Sequence, residues 1–384
     1  MGPEIPVVHL ITRLELGGAQ LNTLATFQNL DCNLFSPLLM AGPGGILDSE
    51  VRDHPNVIWI RHLVRPIRPL RDLRCLLELI GHFRRIRPRI VHTHSSKAGI
   101  LGRLAARWCR VEVIIHTVHG FPFSPHQFFL KRRVFVLLER LISRITTAFI
   151  FVSRADLQTA RQKRLKIRRH QVIRSGFPLA PFREKSPSLL SVNRRLRLSS
   201  RSVVIGTIAP FKPQKGLFDL VEIAGRVLAR RSDVIFLIAG DGPLKGRIEK
   251  ILKRRRIDRY FRLPGFCRDI ASLMDRFDIG LSTALWEGLP QSLVQMRLKK
   301  IPVVATDIPG NAEVIRDGLN GYLVKPRAYG IFADRLLELI GSKPLRRRLG
   351  EYREENFQPW DPAVMVSEQE DFYRRLLGKR ENQP

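Results

Sequence analysis

Val203-Val204-Ile205-Gly206-Thr207-Ile208-Ala209-Pro210-Phe211-Lys212-Pro213-Gln214-Lys215-Gly216 opens with a short β-branched run and turns through two prolines and two lysines. It leads into the amphipathic pattern Leu217–Ala229. A brief, continuously apolar run followed by a longer amphipathic stretch reads as a strand buried on both faces, with a helix crossing back over the sheet. The same unit recurs in both directions. Upstream, strands are predicted at Val7–Ile11, Ser36–Met40, Val57–Ile60, Ile90–Thr93, Val113–His116 and Ala148–Val152, with helical patterns at Leu70–Phe83, Lys97–Trp108 and Gln127–Ile142. Downstream, strands are predicted at Val234–Ala239, Phe261–Leu263, Ile279–Ser282, Pro302–Ala305 and Tyr322–Val324, with a further helical pattern at Leu244–Lys253.

Two such sets predict an α/β chain of two doubly wound, Rossmann-like domains with parallel sheets. The boundary is expected where Pro178, Pro181 and Pro187 mix with serines and arginines before a fresh strand begins. The expected organisation is an N-terminal domain over 1–182, a linker over 183–200 and a second domain over 201–358. A C-terminal segment, 359–384, carries the helical pattern Ala363–Leu377, which has no strand of its own and is expected to pack back on the first domain.

The chain has 384 residues, 44% of them apolar and 26% charged, which is ordinary globular composition and excludes a disordered or fibrous protein. Its longest stretch without Asp, Glu, Lys or Arg, Val113–Leu130, contains Pro122, Pro125 and three histidines, and so does not read as a membrane span. No signal peptide is expected, since Ile5–Ile11 is short and lacks a cationic flank. Cys32, Cys75, Cys109 and Cys267 are isolated, which gives no zinc or redox motif and suits a reducing, cytoplasmic home.

With 66 Lys and Arg against 35 Asp and Glu, the net charge is +31, a field that attracts polyanions. The basic clusters Arg84–Arg89, Lys131–Arg133, Arg161–Arg169, Lys253–Arg256 and Arg346–Arg348 fall within or beside helical patterns, where solvated helix faces account for them. No zinc finger or RNA-recognition motif accompanies them, so no nucleic-acid partner is expected.

In open parallel sheets ligands bind beyond the carboxyl ends of the strands, so the loops that follow them carry the chemistry. Gly17-Gly18 after the first strand lets backbone approach a ligand and leads into a helix N-terminus, although turn geometry alone also explains it. His119, in His116-Thr117-Val118-His119-Gly120, can hydrogen-bond a sugar hydroxyl or stabilise developing charge; a satisfied structural histidine is the alternative. Lys215 stands near the first turn of a helix, where cation and amides together can hold a diphosphate, against the alternative of a solvated loop lysine. Ala239-Gly240-Asp241-Gly242-Pro243 is a tight turn between strand and helix, suited to a nucleotide but also common as a purely structural turn. In Leu285-Trp286-Glu287-Gly288-Leu289-Pro290-Gln291-Ser292 a carboxylate at a strand end precedes a helix start. It can accept hydrogen bonds from sugar hydroxyls or simply complement the helix dipole.

These stretches, in this order, resemble the retaining, nucleotide-sugar-dependent glycosyltransferases of family 4 (group 1), which have the GT-B fold of two Rossmann-like domains facing across a cleft. The resemblance extends over nearly the whole chain, and also takes in Thr93-His94-Ser95-Ser96-Lys97-Ala98-Gly99, Phe151–Arg154, Val172–Gly176, Pro302–Thr306 and Gly310–Gly318. It implies a transferase that moves a hexose-type sugar from a UDP- or GDP-sugar to a glycan or lipid-linked acceptor in cell-envelope polysaccharide or lipopolysaccharide synthesis, with no metal or other cofactor required. It further implies that His119 and Glu287 contact the transferred sugar and that Lys215 binds the diphosphate. Gly17 and Gly18 would lie beside the diphosphate and acceptor, Phe266 and Cys267 beside the base, and the Gly288 and Leu289 amides against the donor, with Gly240 in the nucleotide turn.

Two positions depart from that pattern. The arginine that family members carry five residues before the lysine is Pro210 here, with Lys212 nearby as a substitute cation, and the second glutamate of the family pair is Gln295. Glutamine keeps an acceptor for ribose hydroxyls but forgoes charge assistance.

Phe121, Phe123, Phe128 and Phe129 precede Lys131, Arg132 and Arg133, a pairing of rings and cations that suits peripheral contact with an anionic membrane at the inner face of the plasma membrane; burial of the rings in the first domain's core is the alternative. A sugar-nucleotide epimerase of the same architecture is the competing enzyme, and a basic nucleic-acid-binding protein the competing class.

Overall fold

The computed structural model describes residues 4–15, 17–121, 123, 128–184, 189–199, 201–352 and 356–378. The chain divides into two compact units, one formed by 1–177 with 358–384 and the other by 178–357.

In the first unit seven described strands, β1 (Ile5–Arg13), β2 (Phe35–Gly42), β3 (Val57–Trp59), β4 (Ile90–His94), β5 (Val113–Val118), β6 (Ala148–Phe151) and β7 (Arg169–Val172), form one sheet in the order β3-β2-β1-β4-β5-β6-β7. All neighbours are parallel. The chain steps outward from β1 to β3, then returns beside β1 as β4, which puts a topological switch point between β1 and β4. One face of the sheet is covered by the helices Pro69–Ile86 and Ser96–Trp108, which pack Cys75, Leu79, Phe83 and Ala105 on Val8, Leu10 and Val91. The other face receives Met365, Val366, Phe372, Tyr373 and Leu376 of the helix Pro362–Leu376. That helix starts where Pro362 fixes the first turn and the Asp361 side chain caps the Ala363 amide. Burying each of these large side chains stabilises the unit by roughly 1.5–3 kcal/mol, so the C-terminal segment is part of the first unit's core.

In the second unit six described strands, β8 (Val203–Ile208), β9 (Val234–Ala239), β10 (Phe261–Gly265), β11 (Ile279–Ser282), β12 (Val303–Thr306) and β13 (Gly321–Val324), lie in the order β10-β9-β8-β11-β12-β13, again parallel, with the switch point between β8 and β11. Helix Leu217–Leu228 packs Leu217, Leu220, Val221, Ala224 and Val227 onto this sheet with Phe332 and Leu336 of the helix Tyr329–Gly341.

Two features differ from the sequence reading, and a third lies outside the described residues. The segment 183–200, expected as a linker, contains the helix Leu189–Leu196, which packs on the second unit: Val192 and Leu196 are buried, and the Arg262 guanidinium donates to the Leu196 carbonyl. Strand β7 had no counterpart among the predicted strands, because Arg169-His170-Gln171-Val172 is an edge strand with a polar sequence and two exposed leading residues. The predicted helix start at Gln127 lies outside the described residues; the described helix runs Phe129–Ser143.

Candidate active site

The second unit gathers its candidate residues where four strands end. The loop after β8 passes through Pro213-Gln214-Lys215, a single helical turn, to Gly216. Gly216 has φ +58, and a β-carbon there would lie 2.0 Å from the Thr283 carbonyl oxygen, so glycine alone lets this turn press against the loop that follows β11. The two loops are sewn together by three hydrogen bonds: Leu285 N to Gln214 O at 2.8 Å, Thr283 Oγ1 to Lys215 O at 3.0 Å and Gln214 Nε2 to Trp286 O at 2.9 Å. That stitching brings Lys215 and Glu287, 72 positions apart, into an ion pair between Nζ and Oε1. The side chains are 18% and 10% exposed, a pair drawn partly out of water at the mouth of a narrow crevice also lined by Thr207, Ala209, Ser282, Pro290 and Ser292.

The pair stands at the switch point between β8 and β11, where open α/β sheets bind ligands. Gly288 is buried and Leu289 half-buried at the entry to the helix Gln291–Leu298. Gly240, with φ +141, is the turn after β9; a β-carbon there would lie 2.0 Å from the Ala209 carbonyl, and its amide donates to Gly265 O at 2.8 Å. Phe211 N donates to Asp241 O at 2.9 Å, so the loops after β8, β9 and β10 form one continuous rim. Lys212 is half-buried on that rim, and Phe266 and Cys267 follow Gly265, the ring exposed and the thiol half-buried. Gln295 is buried within its helix and is not among the described residues lining the Lys215–Glu287 crevice. The sequence reading passed over Lys245, whose ammonium lies beside Gly265. Its signal was its position as first residue of the helix Lys245–Arg254 after the glycine turn.

The first unit's switch point sets hydroxyls and imidazoles beside ion pairs of Glu15 with Arg65 and of Lys97 with Asp72. Gly17 precedes and Gly18 begins the helix Gly18–Asn29 after β1. Between β1 and β4, Thr12 Oγ1 lies 2.7 Å from Ser95 Oγ, and the Ala98 amide donates to Thr12 Oγ1 at 3.2 Å. Next to this knot stand the histidines of three adjacent strands, His9, His92 and His94, and His116, all buried, with half-buried His119 on the loop after β5. Parallel register sets His9 against His92. His92 is held between Tyr373 and Thr117, at 2.5 and 2.6 Å, and Thr93 Oγ1 lies 2.9 Å from His116 Nδ1. Removal from water pushes every one of these imidazoles toward the neutral form: His9 down to about 3, His119 down to about 4, and His92, His94 and His116 well below the usual range.

Of the four phenylalanines read as a membrane surface, Phe123 is buried and stacks on half-buried Phe121 with ring centroids 4.7 Å apart, whereas Phe128 and Phe129 are 76% and 54% exposed. Beyond them Leu130, Val134, Leu137 and Leu141 continue an exposed apolar stripe along the helix Phe129–Ser143, and the Arg133 guanidinium sits 4.0 Å over the Phe129 ring. No helix among the described residues is long and apolar enough to cross a membrane.

Residues 6–176 match the family model described as glycosyl transferase 4-like domain, and residues 192–356 match that described as glycosyl transferases group 1. The chain is 27% identical over 351 residues, 89% of each chain, to the UDP-Gal:alpha-D-GlcNAc-diphosphoundecaprenol alpha-1,3-galactosyltransferase of Escherichia coli. It is 27% identical over 295 residues, 75% of this chain and 77% of the other, to the putative glycosyltransferase EpsD of Bacillus subtilis (strain 168). In fold it is similar to the Anabaena protein Alr3699/HepE, solved in complex with UDP-glucose, at TM-score 0.82 and 20% identity, over 97% of this chain and 100% of that one. Nothing in the geometry or the matches favours the epimerase alternative. Two parallel Rossmann-like sheets, and family matches that run through both of them, place the chain among the group 1 glycosyltransferases of GT-B fold.

Proposed function

We propose that this enzyme transfers a hexose-type sugar, with retention, from a UDP-sugar to a lipid-linked glycan acceptor in cell-envelope polysaccharide synthesis. The observation that carries the reading is the Lys215–Glu287 pair at the switch point of the second sheet. On arrival of the donor, a diphosphate oxygen takes the ammonium of Lys215, and the released Glu287 carboxylate accepts hydrogen bonds from the sugar hydroxyls. The anomeric carbon–oxygen bond breaks with its electron pair leaving on the diphosphate. The acceptor oxygen bonds to the same face of that carbon, and its proton passes to the departing phosphate. Lys215, with Lys212 on the same rim in place of the arginine absent at Pro210, supplies the charge stabilisation such a departure needs without calling on a metal. Gly240, Phe266 and Cys267 bound the nucleoside side of the rim, the Gly288 and Leu289 amides face the donor, and Gln295 serves the ribose. Gly17, Gly18 and His119 serve the sugar and acceptor side.

A UDP donor and a diphospholipid-linked acceptor both appear in the name of the Escherichia coli relative, which supports those choices over GDP and a free glycan. The exposed stripe of the helix Phe129–Ser143, flanked by Arg132 and Arg133, supports peripheral contact with the inner face of an anionic membrane, where such an acceptor resides. A panel of nucleotide sugars screened by thermal shift, followed by product analysis with a diphospholipid-linked glycan, tests the assignment. A donor-induced shift that survives unchanged in Glu287→Ala would move the sugar pocket elsewhere. Flotation with anionic liposomes tests the membrane contact, since unchanged binding by Phe128→Ala/Phe129→Ala with Arg132 and Arg133 reversed would remove it.

A further inference from the structure

The histidines behind the first switch point form a line. His9 Nδ1 lies 3.3 Å from His94 Nε2, and His94 Nδ1 lies 3.2 Å from His119 Nε2. The inner end, His9 Nε2, is buried and has no hydrogen-bond partner. Neutral imidazoles carry one N–H each, so the two bonds must run in the same direction. Run inward, with His119 donating to His94 and His94 to His9, they leave an N–H on His9 Nε2 buried and unpaired. Run outward, they leave only a ring lone pair there. Orphaned buried N–H groups are the rarer of the two faults. His92 does not enter the line, because Tyr373 and Thr117 occupy both its nitrogens.

We propose that His9 and His94 are positioning residues that lock His119 with its proton on Nδ1, so that the enzyme presents the transferred sugar or its acceptor with a fixed hydrogen-bond donor rather than a base. The inference rests on the reading of His119 as the sugar-contacting residue. It goes beyond that reading by assigning the tautomer and the two residues that impose it. His119 Nε2 is engaged by His94, and Nδ1 is the nitrogen left to act. The buried wire stays uncharged at neutral pH, consistent with the low pKa of His9 and His119.

The test is nitrogen-15 NMR of the full-length protein labelled at histidine, with the His119 signal assigned by its loss in His119→Ala. The wild-type protein is expected to carry the His119 proton on Nδ1, and His94→Phe to give a mixture of tautomers. The same substitution should lower kcat by roughly tenfold to a hundredfold with a smaller change in donor KM, and His94→Phe/His119→Ala should be no slower than His119→Ala alone. A proton on Nε2 of wild-type His119 overturns the proposal. So do losses that multiply in the double variant, or a stoichiometric metal ion found on His9, His92 and His94, whose ring nitrogens lie within 4.8 Å of one another. The wild-type spectrum serves even where His94→Phe fails to fold. A wild-type Nδ1 proton with full activity in His119→Ala supports the lock and overturns only the sugar-contact reading.

Discussion

The second sheet turns back on itself beside a lysine and a glutamate; the first does so beside a threonine, a serine and a file of uncharged histidines. Topology is shared, and in both units the loops after the first strand and after the strand that returns beside it meet at one point. What differs is the row of neutral imidazoles, since the second unit, 178–357, contains no histidine. A cation–carboxylate pair left partly wet can exchange partners with an incoming dianion, whereas imidazoles stripped of water can only donate and accept hydrogen bonds. The contrast matches the two halves of the proposed substrate pair, a charged leaving group and neutral hydroxyls.

The first unit's described ion pairs are mostly part-exposed, but one is sealed. Arg103 and Glu139 are 0% and 3% exposed; Arg103 Nη2 donates to Glu139 Oε2 at 2.9 Å and its Nε to the Gly99 carbonyl, tying the helices Ser96–Trp108 and Phe129–Ser143 together. Glu139→Ala should therefore destabilise the first unit by about 3–5 kcal/mol, as a lone buried guanidinium is left behind. Urea unfolding followed by fluorescence checks this, with UDP affinity at low denaturant unchanged. Equal loss of UDP affinity would erase the distinction between sealed and working pairs.

Next in size, Lys215→Ala is expected to slow transfer by roughly a hundredfold to a thousandfold, the cost of removing one charge-stabilising donor. Initial rates with saturating acceptor measure it, and a loss under about threefold would contradict the role given to this lysine.

The neutral site makes its own prediction in pH. Folded His9 and His119 resist protonation until about pH 3 and 4, while their unfolded forms take a proton near pH 6.5, so unfolding consumes protons in between. Their contribution to stability should be flat above about pH 6.5 and fall below it by about 1.4 kcal/mol per pH unit for each of the two, ending near pH 4 for His119 and pH 3 for His9. Denaturant midpoints from pH 7 to 4.5 follow this, and His9→Phe should flatten the slope by one proton.

The smallest expected effect comes from the proposed contact of Gln295 with the ribose. Gln295→Glu restores a charge-assisted acceptor and should tighten donor binding by only a few-fold, about 1 kcal/mol.

Strand-and-helix alternation was readable because both sheets are buried on both faces, which forces unbroken apolar runs. Strand β7 was not, since an edge strand beginning Arg169-His170 needs no such run. Proline density suggested a linker at 183–200, but Val192 and Leu196 are placed by packing that composition does not display. Lys215, Glu287 and His119 stood out one at a time, each after a strand. Their partners did not: the contact of Lys215 with Glu287 depends on which strand returns beside β8, and the line from His9 to His119 depends on the parallel register of β1 and β4. Phe121 and Phe123 look like Phe128 and Phe129 in the sequence, and only tertiary packing separates the stacked pair from the exposed one.

The central claim is that Lys215 grips the diphosphate while Glu287 answers for the sugar. Calorimetric titration of UDP and of the UDP-sugar donor into wild type, Lys215→Ala and Glu287→Gln tests it most directly. Lys215→Ala should weaken both ligands at least tenfold, about 1.4 kcal/mol, and Glu287→Gln should weaken the UDP-sugar while leaving UDP unchanged. Undiminished UDP binding by Lys215→Ala would contradict the account.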